Sequence, residues 1–353
     1  MKSLKKLFQK KECMFGTIAI VFIFVILLAA YFRTPQQSWE EPQQLPETSL
    51  PSYPQQTEQQ EKKSFVYVPD SYNSRIQAFD LQGNFVFAFG KYGRDEGEFR
   101  MPTDVFATAE AIYVLDKGNN RIQVFDLDGN FTFSFGEGTL KYPFGFDYFA
   151  DKIFVANTHR SKIDVYSLNG TLLYSFGDKG RDDGEFRYVT DVAATEDYVF
   201  ALDTDNNRLQ CFSQNGTFNL KWGVYTSRFY GLRFPLGLAA YNNRVYVADT
   251  RNNRMSIYSF NGTLLQQFGS YGKEDDEFKF PSKLWFIEDQ LFIADTKNNR
   301  MKSYQPDGTL LFTFGKHGRD PGEFRMPGAT RWFKRELLNK TVSVAGNATN
   351  SSA

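Results

Sequence analysis

One motif recurs six times along this chain: a short apolar run, an Asp or Asn, a turn, and then an Arg or Lys. It reads IYVLDKGNNRI from Ile112 and VYVADTRNNRM from Val245. The Asp or Asn, called the anchor residue here, stands at Asp70, Asp116, Asn157, Asp203, Asp249 and Asp295. Successive anchors are 46 residues apart, with a single interval of 41. A period of about 40 to 50 residues made of strand-like segments is typical of a β-propeller, in which each unit is one small sheet.

Each unit contains four segments with the residue pattern of a strand. In the second unit they are TDVFATA from Thr103, IYVLD from Ile112, RIQVFDL from Arg121 and FTFSFG from Phe131. The last two segments meet at DLDGN, where Gly supplies the positive φ of a tight hairpin turn. The sequence therefore predicts an all-β domain of four-stranded blades over residues 64–334.

The two ends of the repeat predict how the ring of blades closes. The first unit starts directly at its second strand, FVYVPD, whereas the last unit is followed by MPGATRWFKREL, which matches the opening of a further unit. We therefore expect residues 328–334 to form the innermost strand of blade one, which removes an exposed sheet edge. The expected fold is a six-bladed propeller closed by a C-terminal strand.

The complete pattern resembles the NHL repeat. It consists of G-x-x-G-x-x-x-x-E-F-x-x-P, a strand, YVADTxNNRIQVF, an Asn-Gly or Asp-Gly turn, and a strand that ends in Phe-Gly. The resemblance covers about residues 64–334 and implies a six-bladed NHL propeller. It implies no particular reaction, because one fold supports many functions.

Other properties of NHL-like proteins do not transfer to this chain by resemblance. The peptidyl-amidoglycolate lyases hold zinc with several histidines, whereas this chain has only His159 and His317. Some cytoplasmic NHL proteins bind RNA, but Lys plus Arg and Asp plus Glu are balanced here at 41 each. The Cys and His clusters of a ubiquitin-ligase RING module are missing from the sequence.

The N-terminal region is predicted to anchor the protein in a membrane. Residues 14–32 are 19 residues without a charge, which is long enough to cross a bilayer as a helix. Five lysines precede this run, so the positive-inside rule places residues 1–13 in the cytoplasm and exports the rest. A cleaved signal peptide is the alternative, although its apolar core is normally shorter, roughly 7 to 15 residues.

Two further segments are predicted to be disordered, and the cysteines are predicted not to pair. Residues 33–63 form a linker rich in Pro, Gln and Glu, and residues 335–353 form a C-terminal tail of small polar residues. Cys13 lies at the inner membrane edge, unmodified or lipidated, whereas Cys211 lies in the exported propeller. The fold is therefore expected to hold without a disulfide.

Candidate binding residues lie where the repeat is irregular. We call the face that carries the Asn-Asn-Arg turns and the loops between blades the top face. Three irregular segments belong to it: residues 136–143, residues 223–235 and the turn NTHRSK of blade three. Arginine and aromatic residues are common interface anchors, although simple drift of the repeat is the alternative. The candidates are Tyr142, His159, Arg160, Tyr225, Arg228 and Tyr230.

The mouth of the central channel presents two carboxylates and a lysine. The residues at this level are Asp104, Gly145, Asp191, Gly237, Lys283 and Ala329. Asp104 and Asp191 could bind calcium, whereas Lys283 in the same ring favours an internal ion pair. The basic residues of the six turns, such as Arg75, are likewise expected to pair with nearby carboxylates.

Seven Asn-x-Ser/Thr sequons are candidate glycosylation sites of an exported domain. The alternative for the first four is that the Asn only shapes a hairpin turn on the face opposite the top face. The sequons are at Asn130, Asn169, Asn215, Asn261, Asn339, Asn347 and Asn350.

These features together predict a function. The chain is expected to be a single-pass membrane protein with an extracytoplasmic propeller that binds a protein, peptide or glycan through its top face. We expect it to be neither an enzyme nor a cofactor-binding protein. A lyase-like propeller enzyme and an RNA-binding NHL domain are the alternatives.

Overall fold

The computed structural model describes residues 64–223 and 231–331, with the backbone alone for residues 329–331. The predicted segments 1–13, 14–32, 33–63 and 335–353 lie outside the described residues. None of the short helices within the described ranges has the length and apolar character needed to span a bilayer.

Strands dominate the described residues. In chain order they are β1 (Val66–Asp70), β2 (Arg75–Phe79), β3 (Phe85–Phe89), β4 (Lys91–Tyr92), β5 (Glu98–Phe99), β6 (Pro102–Ala107), β7 (Ile112–Asp116), β8 (Arg121–Phe125), β9 (Phe131–Phe135), β10 (Gly145–Phe149), β11 (Lys152–Asn157), β12 (Lys162–Ser167), β13 (Leu172–Phe176), β14 (Asp178–Lys179), β15 (Glu185–Phe186), β16 (Val189–Ala194), β17 (Tyr198–Asp203), β18 (Arg208–Ser213), β19 (Phe218–Trp222), β20 (Gly237–Tyr241), β21 (Arg244–Asp249), β22 (Arg254–Ser259), β23 (Leu264–Phe268), β24 (Ser270–Tyr271), β25 (Glu277–Phe278), β26 (Pro281–Ile287), β27 (Gln290–Asp295), β28 (Arg300–Tyr304), β29 (Leu310–Phe314), β30 (Lys316–His317), β31 (Glu323–Phe324) and β32 (Ala329–Arg331). Short 3₁₀ helices cover the turns at Lys117–Asn119, Thr158–Arg160, Thr204–Asn206, Thr250–Asn252 and Thr296–Asn298.

The longer strands form six antiparallel sheets, each paired in chain order. Blade one comprises β1–β3, and blades two to six comprise β6–β9, β10–β13, β16–β19, β20–β23 and β26–β29. The two-residue strands pair in parallel within four of the loops between blades, as β4 does with β5. The predicted all-β, six-bladed propeller with four-stranded blades is confirmed, and blade one contributes three strands.

The core lies between adjacent blades and is filled by aromatic rings. Phe99 is fully buried, and its ring centroid lies 5.5 Å from that of Phe125 in blade two and 6.3 Å from that of Phe89 in blade one. The Phe-Gly motif follows from this contact. A Cβ atom on Gly90, where φ is +91°, would lie 2.2 Å from Cε2 of Phe99. Only glycine therefore lets the ring approach the end of the blade.

The two irregular loops keep this packing with a smaller side chain. Leu140 and Leu232 occupy the position of Phe99 in their units, and both are buried. Loss of the acidic loop sequence therefore does not remove the apolar wedge between blades. The irregular loops differ on the surface, whereas the core below them is preserved.

The anchor carboxylates join each blade to the loop that leads into it. In blade four, Asp203 is fully buried and accepts three hydrogen bonds: from Arg187 N at 2.9 Å, Asn206 Nδ2 at 2.6 Å and Arg208 Nε at 2.9 Å. The guanidinium of Arg208 also donates to the backbone carbonyl of Glu185 at 2.8 Å. The basic residues of the turns therefore pair with local carboxylates in blades one, two, four, five and six, as expected from the sequence.

Blade three keeps the same kind of hydrogen-bond network, but an amide stands where the other blades have the anchor carboxylate. Its anchor is Asn157, whose Oδ1 accepts from Lys141 N at 2.8 Å and whose Nδ2 donates to Asp164 Oδ2 at 2.6 Å. Asp164 stands where blade four has Gln210. The carboxylate and the amide have changed places, so the polar groups remain satisfied.

The pairing predicted for the closing strand is partly wrong. Pro327 forms an antiparallel bridge with Asp70, and Gly328 N donates to Pro69 O at 2.8 Å, as expected for blade one. The following strand β32, however, pairs in parallel with β6 of blade two. Residues 332–334 of the predicted strand lie outside the described residues.

Channel carboxylates link some neighbouring innermost strands. Asp104 Oδ2 accepts from Phe146 N at 3.2 Å between blades two and three, and Asp191 Oδ2 accepts from Leu238 N at 2.8 Å between blades four and five. The equivalent residue of blade one is Ala329, which has no carboxylate, and β32 contacts blade two through backbone pairing with β6. The glycines at this position in blades three and five also lack a carboxylate, but β10 and β20 pair only within their own blades.

Replacing an anchor should destabilise the propeller strongly. We expect Asp203→Ala to lower the free energy of unfolding by about 3 to 5 kcal/mol, because Arg208 is left buried without its carboxylate. The double variant Asp203→Asn/Gln210→Asp copies blade three and should lose less than half of that. Urea denaturation measures both. An Asp203→Ala loss below about 1 kcal/mol would show that the anchor does not hold the blades together.

Candidate functional site

A buried ion-pair triad crosses the central channel. Lys283 Nζ lies 2.7 Å from Asp104 Oδ2 and 2.6 Å from Asp191 Oδ1. The side chain of Lys283 is only 3% exposed. The structure thus brings together the three residues that the sequence placed at one level, from blades two, four and six. A calcium ion at Asp104 and Asp191 would have to displace this ammonium group, so the geometry favours the internal ion pair.

The protonation of the triad reflects both burial and charge. Burial, reinforced by Asp104, raises the pKa of Asp191 to about 7 although Lys283 opposes the change. Burial also raises the pKa of Asp104. Burial alone would lower the pKa of Lys283, but the two carboxylates outweigh it and raise that pKa. The ammonium is therefore held in its charged form by its neighbours.

The triad separates two cavities in the channel. The larger, of about 500 Å³, extends from the triad toward the face opposite the top face, and aromatic side chains such as Phe106, Tyr148, Tyr241 and Phe286 line it. The smaller, of about 120 Å³, lies on the top-face side and includes Lys117 and Thr103. We call the smaller one the channel-mouth cavity. Its other lining residues include Ser71, Met101, Phe144, Phe280, Ser282, Thr296 and Met326.

Two of the predicted binding residues meet beside this cavity. The rings of Tyr142 and His159 stack with centroids 4.5 Å apart, and Tyr188 lies 6.1 Å from His159. Arg160 is exposed, and its guanidinium donates to Gly138 O at 2.9 Å. Tyr225, Arg228 and Tyr230 belong to residues 224–230, outside the described part of the chain.

His159 is held near a cluster of positive charge. Burial lowers the pKa of His159, and the neighbouring Lys141 and Lys117 lower it further. The neutral imidazole stacked on Tyr142 is therefore the favoured form at neutral pH. Similar pairs of a cation and a ring stand in two other blades, where Arg251 lies 4.4 Å from the ring centroid of Phe234 and Lys297 lies 4.4 Å from that of Phe280.

Six basic residues lie on the top face, one in each unit, in the loop that leads into an innermost strand. Each stands two positions before the Pro, or its equivalent, that opens an innermost strand, and its backbone N–H donates to an anchor residue. We call these residues the basic ring: Arg100, Lys141, Arg187, Arg233, Lys279 and Arg325.

The basic ring has cationic side chains that no carboxylate neutralises. Within residues 64–223 and 231–331, none of the six takes part in an ion pair. Lys141 and Arg187 are exposed and the other four are half-buried. The guanidinium of Arg100 lies 5.8 Å from the ring centroid of Tyr92, and the ammonium of Lys279 lies 5.8 Å from that of Tyr271, both in the loops between blades. Among the described residues, a chain of zero net charge therefore carries six basic side chains without a carboxylate partner on its top face, one from each unit.

The sequence contains a signal for this ring that the period of the anchors alone does not reveal. All six units have Arg or Lys at this position, and the adjacent acidic loops conceal it when charge is summed over the chain. A second missed signal is Lys117, which replaces the Ser or Thr that follows the anchor in the other five units. Both signals become visible only when the units are aligned on the anchor residue.

The sequons of the described residues lie at exposed hairpin turns on the face opposite the top face. Asn130 donates through Nδ2 to Asp126 Oδ2 at 2.9 Å. Asn169, Asn215 and Asn261 instead accept through Oδ1, as Asn169 does from Thr171 N at 3.3 Å. The Nδ2 atom that a glycan would modify is thus engaged at Asn130. Asn339, Asn347 and Asn350 lie outside the described residues.

Cysteine, histidine and carboxylate side chains do not gather into a three-residue metal-binding group within the described ranges. Cys211 is a buried free thiol there, and burial raises the pKa of this thiol to about 11. It is therefore an apolar core residue at neutral pH.

Comparison with known proteins supports the fold assignment. A family described as 6-bladed beta-propeller matches residues 58–144, and the NHL repeat family matches residues 232–258. The chain thus contains NHL-type repeats in a six-bladed propeller. No curated protein matches the chain in sequence.

Several solved structures share the fold at low sequence identity. The structure of streptogramin B lyase is 12% identical with a TM-score of 0.53, over 77% of this chain and 84% of that chain. A protein of unknown function from Bacteroides caccae is 12% identical with a TM-score of 0.58, over 76% and 97%. A chain of the nidogen/laminin complex is 14% identical with a TM-score of 0.57, over 75% and 97%. At these identities the likeness extends to the fold alone.

Removing the central ammonium should destabilise the protein in a pH-dependent way. We expect Lys283→Met to lower the free energy of unfolding at pH 8 by about 3 to 5 kcal/mol, because two buried carboxylates then repel each other. At pH 5 the loss should be smaller, since both carboxylates can take up protons in the folded state.

The triple variant Lys283→Met/Asp104→Asn/Asp191→Asn is the control, and it should recover part of the lost stability at pH 8. Guanidinium denaturation at both pH values measures all three proteins. An equal loss for Lys283→Met at pH 5 and pH 8 would contradict the assigned ion-pair triad.

Proposed function

We propose that this protein is a membrane-tethered, outward-facing propeller that binds an acidic segment of a partner protein on its top face without catalysing a reaction. The observation that carries the proposal is the basic ring, whose six side chains lack carboxylate partners among the described residues. Cations without carboxylate partners on one face attract anionic ligands and speed their association.

The chemistry of the mouth favours a peptide among the protein, peptide and glycan ligands expected for this fold. Basic residues alternate there with large apolar ones, because Tyr142, Tyr188, Phe234 and Phe280 directly follow four members of the basic ring. Arginine and aromatic residues are the side chains that most often dominate protein interfaces. An acidic peptide with a few apolar side chains would use both kinds of contact.

The predicted topology favours an extracytoplasmic partner. Residues 14–32 are proposed to be a transmembrane anchor, and residues 33–63 a spacer that holds the propeller away from the bilayer. RNA is also an anion, and the basic ring meets part of the electrostatic requirement for RNA binding. The proposed export of the propeller argues for the peptide, and RNA becomes an outcome of the test.

The likeness to streptogramin B lyase does not extend the proposal to catalysis, since it concerns the fold alone. The larger cavity of about 500 Å³ has the size of a small-molecule site. Its lining is mainly aromatic, however, and its carboxylates Asp104 and Asp191 are engaged by Lys283.

Charge reversal in the basic ring should abolish binding of an acidic probe. The test uses the full-length protein in lipid nanodiscs and a fluorescent 12-residue peptide that contains Glu and Leu. We expect Lys141→Glu/Arg187→Glu to weaken binding at least tenfold, because attraction becomes repulsion. Fluorescence anisotropy at several salt concentrations measures the affinity, which should fall as salt rises.

The matched control reverses two charges at the opposite face, Lys152→Glu/Arg244→Glu, and should leave the affinity within about twofold. Equal weakening by both variants would reject the top face as the site. Tighter binding of a 12-nucleotide RNA than of the peptide would favour the RNA-binding alternative. Replacement of Tyr225, Arg228 and Tyr230 by Ala tests separately whether the predicted aromatic loop contributes.

Glycans on the opposite face would leave the top face accessible, which suits the proposal. Expressed in a eukaryotic secretory pathway, the protein should migrate faster on gels after treatment with an endoglycosidase that removes N-linked glycans. Part of this shift should disappear in Asn169→Gln/Asn215→Gln/Asn261→Gln. An Asn130→Gln change should have less effect, because that Nδ2 bonds Asp126. No shift for the unaltered protein would contradict glycosylation.

A further inference from the structure

Blade two departs from the repeat at a position that lines the channel-mouth cavity. The residue after the anchor is Ser or Thr in the other five blades. In blade four this hydroxyl bonds the next blade, since Thr204 Oγ1 donates to Pro235 O at 2.7 Å. The equivalent hydroxyls of blades one and six make the same hydrogen bond. Lys117 replaces the hydroxyl in blade two and lines the cavity. An inter-blade contact has thus been exchanged for a buried amine.

The Lys117 side chain lacks an anionic partner. It is 3% exposed, and its Nζ lies 4.1 Å from the ring centroid of Tyr142 and 4.0 Å from that of Phe144. No carboxylate pairs with it in the part of the chain that the structure describes. Contacts with two aromatic rings stabilise an ammonium by less than its desolvation destabilises it. A bound anion would make up this difference.

A second unsatisfied polar group lines the same cavity. Thr103 is 8% exposed, and its Oγ1 atom is buried without a hydrogen-bond partner. A buried hydroxyl without a hydrogen-bond partner destabilises the folded protein. Two groups that each lack a hydrogen-bond acceptor therefore meet in one small cavity of about 120 Å³.

We propose that the channel-mouth cavity binds a single carboxylate, which accepts hydrogen bonds from Lys117 Nζ and Thr103 Oγ1. One ammonium and one hydroxyl match the two oxygens of a carboxylate, whereas a phosphate needs more donors. The carboxylate belongs either to a small free acid or to an Asp or Glu side chain of a partner. The site stands on its own geometry and does not depend on the peptide-binding role of the basic ring.

The charges around Lys117 predict that binding of a carboxylate depends on protonation of the Lys117 amine. Lys283 lies beneath Phe144, with Asp104 and Asp191 on its far side, and His159 stacks on Tyr142. Burial, together with Lys283, lowers the pKa of Lys117 to about 7. The amine is therefore largely neutral at pH 8 and protonated at pH 6. Binding of a carboxylate should be tighter at pH 6.

Titration of acetate into the full-length protein in nanodiscs tests the site. Isothermal titration calorimetry should show one site per chain, with affinity up to about tenfold higher at pH 6 than at pH 8. We expect Lys117→Met to weaken acetate binding at least tenfold and Thr103→Val to weaken it about three- to tenfold. Lys152→Met, at the opposite face, should bind acetate as the unaltered protein does.

A further variant separates binding from stability. Lys117→Thr restores the hydroxyl of the other blades, so it should unfold at the same temperature as the unaltered protein or a higher one, while losing acetate affinity. Unchanged acetate binding by Lys117→Met or Lys117→Thr would overturn the proposal. So would chloride binding as tight as that of acetate, since the cavity would then select a charge rather than a carboxylate.

The same variants show whether the carboxylate comes from a free acid or from a side chain of a partner protein. Acetate binding to the unaltered protein supports a free acid. If acetate does not bind, weaker binding of the Glu-containing peptide by Lys117→Thr than by Lys152→Met supports a side chain of the partner. If acetate does not bind and Lys117→Thr binds the peptide normally, the proposed site is wrong, whether or not the basic ring holds the peptide.

Discussion

The buried anchor carboxylate is the interaction on which the propeller depends. One oxygen of each anchor binds the backbone N–H of the loop that leads into a blade, and in five blades the other oxygen binds the turn of the same blade. Since Arg325 N donates to Asp70 Oδ1 at 2.7 Å, the last loop is held by the first blade and the ring is closed by the same bond that joins all its neighbours. Burial raises the pKa of Asp70, so these carboxylates tolerate burial only because several donors surround them.

The same bond places the functional residues. An N–H group held by the anchor belongs to a basic residue in every unit, so the backbone of one basic residue per unit is fixed on the top face. The residue after the anchor lines the channel-mouth cavity in blades one, two and six, and Lys117 of blade two differs there from its Ser and Thr equivalents. Structural repetition therefore places one basic residue per unit on the top face, whereas the single exchange at Lys117 makes the cavity asymmetric. The residues that hold the blades together and those proposed to bind ligands are neighbours in the chain.

Much of this architecture could be predicted from the sequence. The period of the anchors and the apolar second strands fixed the number of blades, because each pattern repeats six times. The partner of β32 could not be predicted, because the repeat specifies pairing within a blade and carries no signal for pairing between innermost strands of two blades. The basic ring was hidden by the acidic loops beside it, and the isolation of Lys117 becomes apparent only when the cavity around it is known. The triad was foreseen because Asp104, Asp191 and Lys283 share one position of the repeat.

The central claim is that an acidic ligand binds the top face at the channel mouth. Photo-crosslinking tests it most directly, with a Glu-containing peptide that carries a benzophenone group and the full-length protein in nanodiscs. Mass spectrometry should locate the crosslinks in peptides that contain Arg100, Lys141, Arg187 or Lys279. Crosslinks confined to the hairpin turns around Asn169 and Asn261, on the opposite face, would contradict the account.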